Sequence, residues 1–226
     1  MQCFKQPMVL IRGWATESAI FKKPLDNLSS LCYINKYRGK EMTNVWVISD
    51  THFTQESVLK FIDSYTGKLI RPGLTTTHEH DEFLIDKWNS TVAPNDVVYH
   101  LGDVCHIPLQ EHYRDNIHPR LNGKKRLIVG NHDDIRFQST LDWTHIDFWV
   151  DLHNDNVLLS HTPQEAFALN RGHPGKRFLE HQPQMRLNVH GHIHQNPVAG
   201  PNYRCVCVEQ TDFAPVNLDI FLKEAL

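Results

Sequence analysis

The fold is decided by the stretch Val45-Trp46-Val47-Ile48-Ser49-Asp50-Thr51-His52. Its apolar run of β-branched and aromatic residues predicts a buried strand. The run stops at Asp50 and His52, two side chains that carry oxygen and nitrogen donors. A rigid strand would hold such loop residues in a fixed position, which is typical of a functional site.

Four more clusters of donor side chains follow, most of them at the end of an apolar run. They are Gly102-Asp103, Gly130-Asn131-His132-Asp133, Ser160-His161 and His190-Gly191-His192-Ile193-His194. The predicted strands are Val45 to Ser49, Val97 to Leu101, Arg126 to Val129, Val157 to Ser160, Arg186 to His190 and Tyr203 to Val208. Oxygen and imidazole donors that converge in this way predict a two-metal hydrolytic centre.

Segments with helical spacing of apolar residues lie between the predicted strands. They are Glu56 to Tyr65, Glu79 to Thr91, with Thr77 as its expected cap, and a weaker one around Leu109 to Ile117. Alternating strands and helices predict an α/β protein. The turn signal Asn154-Asp155-Asn156 predicts a hairpin between Phe148 to Val150 and Val157 to Leu159.

The composition is that of one ordinary globular domain. The chain has 226 residues, of which 40% are hydrophobic and 22% charged. Its net charge is −3 and its longest basic runs are Lys22-Lys23 and Lys124-Lys125-Arg126. We therefore do not expect a long nucleic-acid duplex as a partner.

Cysteine usage and the N-terminal sequence predict a location in the cytoplasm. Five cysteines make an odd count without disulfide-like spacing, which indicates a reducing compartment. The apolar run Met8 to Ile11 is too short for a signal peptide. No run approaches the roughly 18 apolar residues that span a bilayer, so no membrane partner is expected.

The five clusters, taken in order, resemble the calcineurin-like metallophosphoesterases, whose pattern runs Asp-x-His, Gly-Asp, Gly-Asn-His-Asp/Glu, His and Gly-His-x-His. The resemblance covers roughly Asn44 to Leu222 and is closest to small single-domain bacterial and bacteriophage members. It implies two packed mixed β-sheets flanked by helices. Residues 42–226 would form the metallophosphoesterase domain, and residues 1–41 would be an N-terminal extension of unknown structure.

The resemblance also implies a ligand set for two divalent ions. One ion would be held by Asp50, His52, Asp103 and His194, and the other by Asp103, Asn131, His161 and His192. Manganese is the favoured ion, and iron, zinc, nickel and cobalt are alternatives that suit the same oxygen and nitrogen donors. The implied reaction is in-line attack by a metal-bridging hydroxide on a phosphoester, with His132 as the acid for the leaving oxygen.

Two positions depart from the Ser/Thr protein phosphatase branch of that family. An Asp and an Arg follow the bridging carboxylate there, whereas this chain has His106 and Ile107. His106 resembles a residue of the family's DNA-repair nucleases that positions a phosphodiester, so it favours diesters over monoesters. The alternative is a surface histidine without a role. Arg71, between the first two clusters, is predicted to reach a substrate phosphate.

The function predicted from these residues is hydrolysis of a small phosphodiester or nucleotide-like substrate. Alternatives are a phosphomonoesterase or nuclease of the same superfamily, or a scaffold that binds metal without catalysis. The scaffold is less favoured because every ligand and His132 are present. Thr162 to Pro183 would form either a lid over the site or a surface loop. Oligomeric state is not readable from the sequence.

Overall fold

The computed structural model describes residues 43–152, 157–164, 187–197 and 200–224. The described strands are β1 (Val45–Ile48), β2 (Val97–His100), β3 (Lys124–Ile128), β4 (His145–Asp147), β5 (Trp149–Leu152), β6 (Val157–Ser160), β7 (Leu187–His190), β8 (Tyr203–Cys205) and β9 (Val216–Asn217). The described α-helices are α1 (Thr77–Thr91), α2 (Gln110–Asn116), α3 (Ile135–Gln138) and α4 (Leu218–Glu224). Short 3₁₀ helices cover Glu56–Lys60, Ile107–Leu109, His118–Arg120 and Val208–Gln210.

The strands form two mixed sheets. The first has the order β4-β3-β2-β1-β9, in which all strands are parallel except β9. The second has the order β5-β6-β7-β8, in which β5 is antiparallel to β6. Ser49 joins the two sheets, because its amide donates to the Val206 carbonyl and its carbonyl accepts from Val208. The sheet edge that follows β1 is therefore tied to the segment that follows β8.

The hydrophobic core has two layers because successive residues of a strand face opposite sides of a sheet. Val47 and Tyr99 of the first sheet pack with Val189 of the second. Ile48, one residue further along β1, faces the other side and packs in a cluster that includes Trp88 of α1. The predicted fold class, two packed mixed sheets flanked by helices, is thus confirmed.

Helix α1 begins earlier than the sequence pattern indicates. Its N-cap is Thr76 rather than Thr77: the Thr76 hydroxyl accepts from the Glu79 amide, and the Glu79 carboxylate accepts from the Thr76 amide. This capping box satisfies two backbone donors that a helix start leaves free. The helix then buries Leu84 and Trp88 and ends at Thr91, as predicted.

The helix predicted for Glu56 to Tyr65 is wrong, since only one 3₁₀ helix forms, at Glu56–Lys60. Beyond it the Asp63 carboxylate accepts from the amides of Tyr65 and Thr66. Such side-chain bonds stabilise a turn that competes with the helix. Ile62, an apolar residue of the expected helix, is 60% exposed and forms a bridge with Leu69.

Several expectations fall outside the described residues. These are the N-terminal extension, the hairpin turn at residues 154–156 and most of the lid or loop at residues 162–183. The strands on either side of that turn, β5 and β6, do pair in antiparallel fashion. Within the described ranges, no helix is long and apolar enough to cross a membrane.

Stability should fall in acid because His100 is buried as a neutral imidazole. Its Nδ1 accepts from the Gly102 amide, and its Nε2 lies 2.9 Å from the Thr51 hydroxyl, which itself donates to the Val104 carbonyl. Burial lowers the pKa of His100 to about 3. An unfolded histidine binds a proton near about pH 6.5. The unfolded state therefore gains protons first as pH falls below that value.

Because only the unfolded state binds a proton at His100 in this range, we expect the free energy of unfolding to fall by up to about 1.4 kcal/mol per pH unit as the pH drops from about 6.5 to 3. Urea unfolding at several pH values, compared with His100→Gln, measures it. The variant should lose stability less steeply in acid, whereas His145→Gln, at an exposed position on β4, should keep the wild-type slope. Identical slopes in wild type and His100→Gln would contradict the assignment.

Candidate metal centre

The loops that follow parallel strands carry all seven predicted metal ligands. Loops after β1, β2 and β3 of the first sheet and after β6 and β7 of the second supply, in that order, Asp50, His52, Asp103, Asn131, His161, His192 and His194. Parallel neighbours end at the same edge of a sheet, which is where α/β proteins place their sites. Because the two sheets pack together, the two sets of loops meet.

The first group of donors consists of Asp50, His52 and His194, whose ligand atoms all lie within 4.8 Å of one another. His52 Nε2 is 3.8 Å from Asp50 Oδ1, and His194 Nε2 is 3.9 Å from the same oxygen. Donors about 2.1 Å from a tetrahedral ion are separated by about 3.4 Å. Small side-chain movements would therefore suffice for this group to hold a cation.

The second group consists of Asp103, His161 and His192, again within 4.8 Å of one another. His161 Nε2 is 3.5 Å from Asp103 Oδ2 and 3.3 Å from His192 Nδ1. Asn131 lies beside this group, with its Oδ1 2.8 Å from His161 Nε2. The structure thus brings together the four residues that the resemblance implies for the second ion.

Asp103 lies between the two groups. Its Oδ2 is 3.7 Å from His52 Nε2 in the first group and 3.5 Å from His161 Nε2 in the second. Its Oδ1 accepts from the His132 amide at 2.8 Å, which fixes the carboxylate plane. A carboxylate in this position can contact cations on both sides.

Hydrogen bonds to Nδ1 aim three of the imidazoles into the centre. The Nδ1 atoms of His52, His161 and His194 lie 2.8 to 2.9 Å from the side-chain oxygen of Gln55, the Leu101 carbonyl and the carboxylate of Glu209 respectively. An oxygen acceptor at Nδ1 holds the proton there and leaves the Nε2 lone pair free for a metal. These partners therefore set both the tautomer and the orientation of each ring.

The backbone of the centre is strained. Five of the predicted ligands have a left-handed φ, with values of 58° at Asp50, 48° at His52, 56° at Asp103, 71° at His192 and 50° at His194. This conformation is uncommon outside glycine and costs of order 1–3 kcal/mol per residue. Backbone strain that is concentrated at the residues of one candidate centre is typical of a functional site.

Two buried atoms indicate that the donor set suits a cation. Asp50 Oδ1 and His52 Nε2 are buried and have no hydrogen-bond partner. The other oxygen of Asp50 accepts from the His192 amide and the Cys207 thiol. A buried carboxylate oxygen and an imidazole nitrogen left free side by side are costly unless something binds them. A divalent ion fits this set of oxygen and nitrogen donors.

The protonation states of Asp50 and His192 also suit metal binding. For His194, burial alone would lower the pKa, but contact with Glu209 raises it above its ordinary value, so a metal would have to displace that proton. Burial alone would raise the pKa of Asp50, but the nearby imidazoles, first that of His52, bring it well below its ordinary value. Asp50 is therefore an anion. Partial desolvation where the ring faces the centre lowers the pKa of His192, so this ring is neutral and keeps a free lone pair.

The centre has a buried floor and an exposed rim. Asp50 and Asp103 are buried, whereas Asn131, His132 and His192 are exposed. A substrate can therefore approach from the side of the rim without displacing the carboxylates below it.

The two predicted catalytic histidines are placed differently. The ring of His132 is exposed and lies edge-on to that of His52, with 5.8 Å between centroids. The structure therefore brings His132 to the mouth of the centre. His106 is half-buried and its Nδ1 has no hydrogen-bond partner. Within the described ranges its ring forms no hydrogen bond or ring stacking with a candidate ligand, so its role stays a prediction.

Asp133 holds the loop that carries His132. Its carboxylate accepts from the amides of Asp103, Val104 and Gly130 at 2.8 to 3.0 Å. These bonds tie the loop after β3 to the loop after β2. Asp133 thereby fixes the distance between the central carboxylate and the rim.

The predicted contact of Arg71 with a substrate phosphate is wrong. Arg71 is fully buried, and its guanidinium donates to the carbonyls of Asp50 and Thr51 and to Glu209. The sequence reasoning also missed Glu209, which contacts His194. The only signal for Glu209 is its place just after β8, at the same sheet edge as the ligands.

Comparisons with known proteins establish relatives and a shared fold. No family model matches the chain. It is 26% identical over 189 residues to an uncharacterized protein of Methanocaldococcus jannaschii, covering 80% of this chain and 91% of that protein. It is 33% identical over 141 residues to the gene 66 protein of Mycobacterium phage D29, covering 54% of this chain and 65% of that protein.

The solved structure of a protein of unknown function from Aquifex aeolicus has the same fold. The TM-score is 0.60 at 23% identity, and the match covers 80% of this chain and 99% of that one. Similarity to Vps29 from Entamoeba histolytica, solved with zinc, is weaker, with a TM-score of 0.34 at 16% identity. A score that low does not establish a shared fold.

Proposed function

We propose that this chain is a dinuclear metal-dependent phosphoesterase that hydrolyses a small phosphodiester or nucleotide-like substrate. The observation that carries the proposal is the place of Asp103, one carboxylate oxygen of which lies between His52 and His161, members of two separate donor groups. The order of the five donor clusters, which resembles that of the calcineurin-like metallophosphoesterases, supports it.

Asp50, His52, Asp103 and His194 would hold one ion, and Asp103, Asn131, His161 and His192 the other. Two bound divalent ions would supply charge neutralisation of the phosphoryl group and activation of water. Manganese is favoured, and iron, zinc, nickel or cobalt suit the same donors. Only two of the proposed ligands are carboxylates, so the occupied centre keeps a positive charge that attracts an anionic ester.

The chain's own side chains would carry out the remaining chemistry. His132 lies on the exposed rim, where its imidazole can donate a proton to the leaving oxygen. The bond from its amide to Asp103 holds its backbone in place relative to the central carboxylate. His106, on the loop that also carries Asp103, is proposed to position a diester.

A groove of about 660 Å³ lies between α1 and α2, and we propose it as a second place for substrate contact although none of the proposed ligands lines it. Thr54, two residues after the proposed ligand His52, lines it together with His112 and Asn116. The Thr54 hydroxyl is buried and has no hydrogen-bond partner. Polar groups of this kind can hydrogen-bond a sugar or a base, and most of the other side chains that line the groove are also polar or charged.

His132→Ala tests the proposal. With Mn²⁺ present, we expect the full chain to hydrolyse bis-p-nitrophenyl phosphate faster than p-nitrophenyl phosphate. On a cyclic nucleotide, whose alkoxide leaving group needs a proton, the variant should lower kcat by about 10²-fold, because it removes the proton donor and leaves the ligands in place. Turnover of bis-p-nitrophenyl phosphate, which has a good leaving group, should be affected much less. Metal content should be unchanged, and His145→Ala serves as the matched control at an exposed position.

Other outcomes would point elsewhere. Metal binding without turnover of any ester would favour a scaffold. Faster cleavage of single-stranded oligonucleotides than of cyclic nucleotides would favour a nuclease. Equal kcat values for wild type and His132→Ala on a cyclic nucleotide would remove this histidine from the proposed chemistry.

A further inference from the structure

Arg71 lies directly beneath the first donor group, and nothing in the proposed chemistry uses it. Its side chain is fully buried, although a guanidinium stays charged at any ordinary pH. Nη2 donates to the Asp50 carbonyl at 2.7 Å, and Nη1 donates to the Thr51 carbonyl at 2.9 Å. Burying a charge is costly unless it is paired. A guanidinium that is fully buried is therefore expected to have an anionic partner and a specific role.

The partner is Glu209. One of its carboxylate oxygens accepts from Arg71 Nε at 2.9 Å and from Nη2 at 2.6 Å. The same oxygen accepts from His194 Nδ1 at 2.9 Å. A carboxylate in direct contact with a buried guanidinium is held as an anion. Glu209 therefore orients His194 through an oxygen that Arg71 also holds.

The remaining contact of Arg71 is with a histidine outside the centre. Nη1 lies 2.6 Å from His80 Nε2, which must accept because a guanidinium only donates. Burial lowers the pKa of His80, and its Nδ1 lies 3.1 Å from Asp81 Oδ1. Every nitrogen of the guanidinium thus has a partner, and the arginine is fixed from both sides.

The supports of the two donor groups are largely separate, although the Asp50 carboxylate also accepts from the His192 amide of the second group. Arg71 contacts the backbone that carries Asp50 and, through Glu209, the ring of His194; both belong to the first group. In the second group, His161 is held by the Leu101 carbonyl and Asp103 by the His132 amide. The arginine contacts neither.

We propose that Arg71, acting with Glu209, is a positioning residue that sets the geometry of the metal position formed by Asp50, His52 and His194 and affects the second position less. The inference rests on the proposed function, since it requires that the chain binds metal. Arg71 would thus hold the ligands of one metal position in place and would not contact the substrate.

Metal content measured on the full chain tests this inference. Calorimetric titration with Mn²⁺ should show two ions for wild type and one for Arg71→Met. At the weakened position we expect a loss of affinity of about 10- to 100-fold, as for other residues that orient ligands. Glu209→Gln, which keeps the shape of the side chain and removes its charge, should have the same effect.

Two further variants separate positioning from a general loss of structure. Arg126→Met removes another buried guanidinium, one that donates to the Tyr99 hydroxyl, and should still bind two ions. Arg71→Lys should recover only part of the lost affinity, because an ammonium lacks the planar fork that contacts several acceptors at once. If Arg71→Met does not fold, Glu209→Gln decides the question.

Each result has a distinct meaning. Two ions of wild-type affinity in both Arg71→Met and Glu209→Gln would overturn this inference alone. Equal weakening of both ions in Glu209→Gln would also overturn it, since the two positions would then not be supported separately. A wild-type chain that binds no ion would overturn the proposed function and this inference with it.

Discussion

Asp103→Asn is expected to lower turnover of a phosphodiester by about 10³-fold or more. The carboxylate lies between the two donor groups, and its replacement by an amide removes the negative charge that would hold two cations close together. A loss of about 4 kcal/mol of transition-state stabilisation corresponds to this factor. The amide has nearly the same shape, so the fold and the bond to the His132 amide can persist.

Steady-state kinetics with Mn²⁺ and metal content measured on the same samples check the result. We expect fewer than two bound ions together with the loss of activity. Asp86→Asn, an exposed substitution on α1, should change neither. Full activity in Asp103→Asn would show that Asp103 is not the bridge and would remove the main support for a dinuclear centre.

Gly191→Ala is expected to damage both stability and activity. A Cβ at this position would lie 2.0 Å from Ser49 Oγ and 2.4 Å from Asp50 Oδ2, far inside van der Waals contact. Ser49 is fully buried, so neither atom can move into open space. Overpacking of this kind costs about 1–3 kcal/mol, which lowers the Tm of a chain this size by roughly 2–12 °C.

Activity should fall by about 10²-fold, because the clash displaces a proposed ligand and a shift of about 1 Å near reacting groups can cost that much. Thermal unfolding and kinetics on one preparation measure both effects. Gly200→Ala is the matched control, since the nearest atom to its Cβ would be 4.0 Å away. A Gly191→Ala protein with wild-type Tm and kcat would contradict the packing around Asp50.

The fold could be predicted from the sequence where an apolar run ends in donor side chains. Each of the six predicted runs overlaps a described strand, because β-branched residues in short buried segments leave few alternatives. Strand β3 nevertheless begins at Lys124, two residues before the predicted start. The prediction of a helix after His52 was wrong because the Asp63 side chain stabilises a local turn, and the spacing of apolar residues carries no signal for such a turn. Strand β9, with only two residues, is too short to leave a pattern.

The supports of the candidate centre could not be predicted, although its donors could. The aspartate and histidine clusters can be recognised in the sequence by their residue types and their order. Glu209 and Arg71 are 138 positions apart in the chain, and each alone is an ordinary charged residue. Their importance comes from burial and from a shared oxygen beside His194, which only the packing of the two sheets creates.

The left-handed backbone at Asp50, Asp103 and His192 also limits how this centre can change over evolution. Apart from glycine, the residues that best tolerate this conformation are asparagine, aspartate and histidine, which are also good metal donors. Backbone and chemistry therefore select the same few residue types. A descendant that abandons metal binding should acquire glycine or asparagine at these positions, whereas valine and isoleucine, which are bulky and β-branched, should be disfavoured by the backbone of the loops.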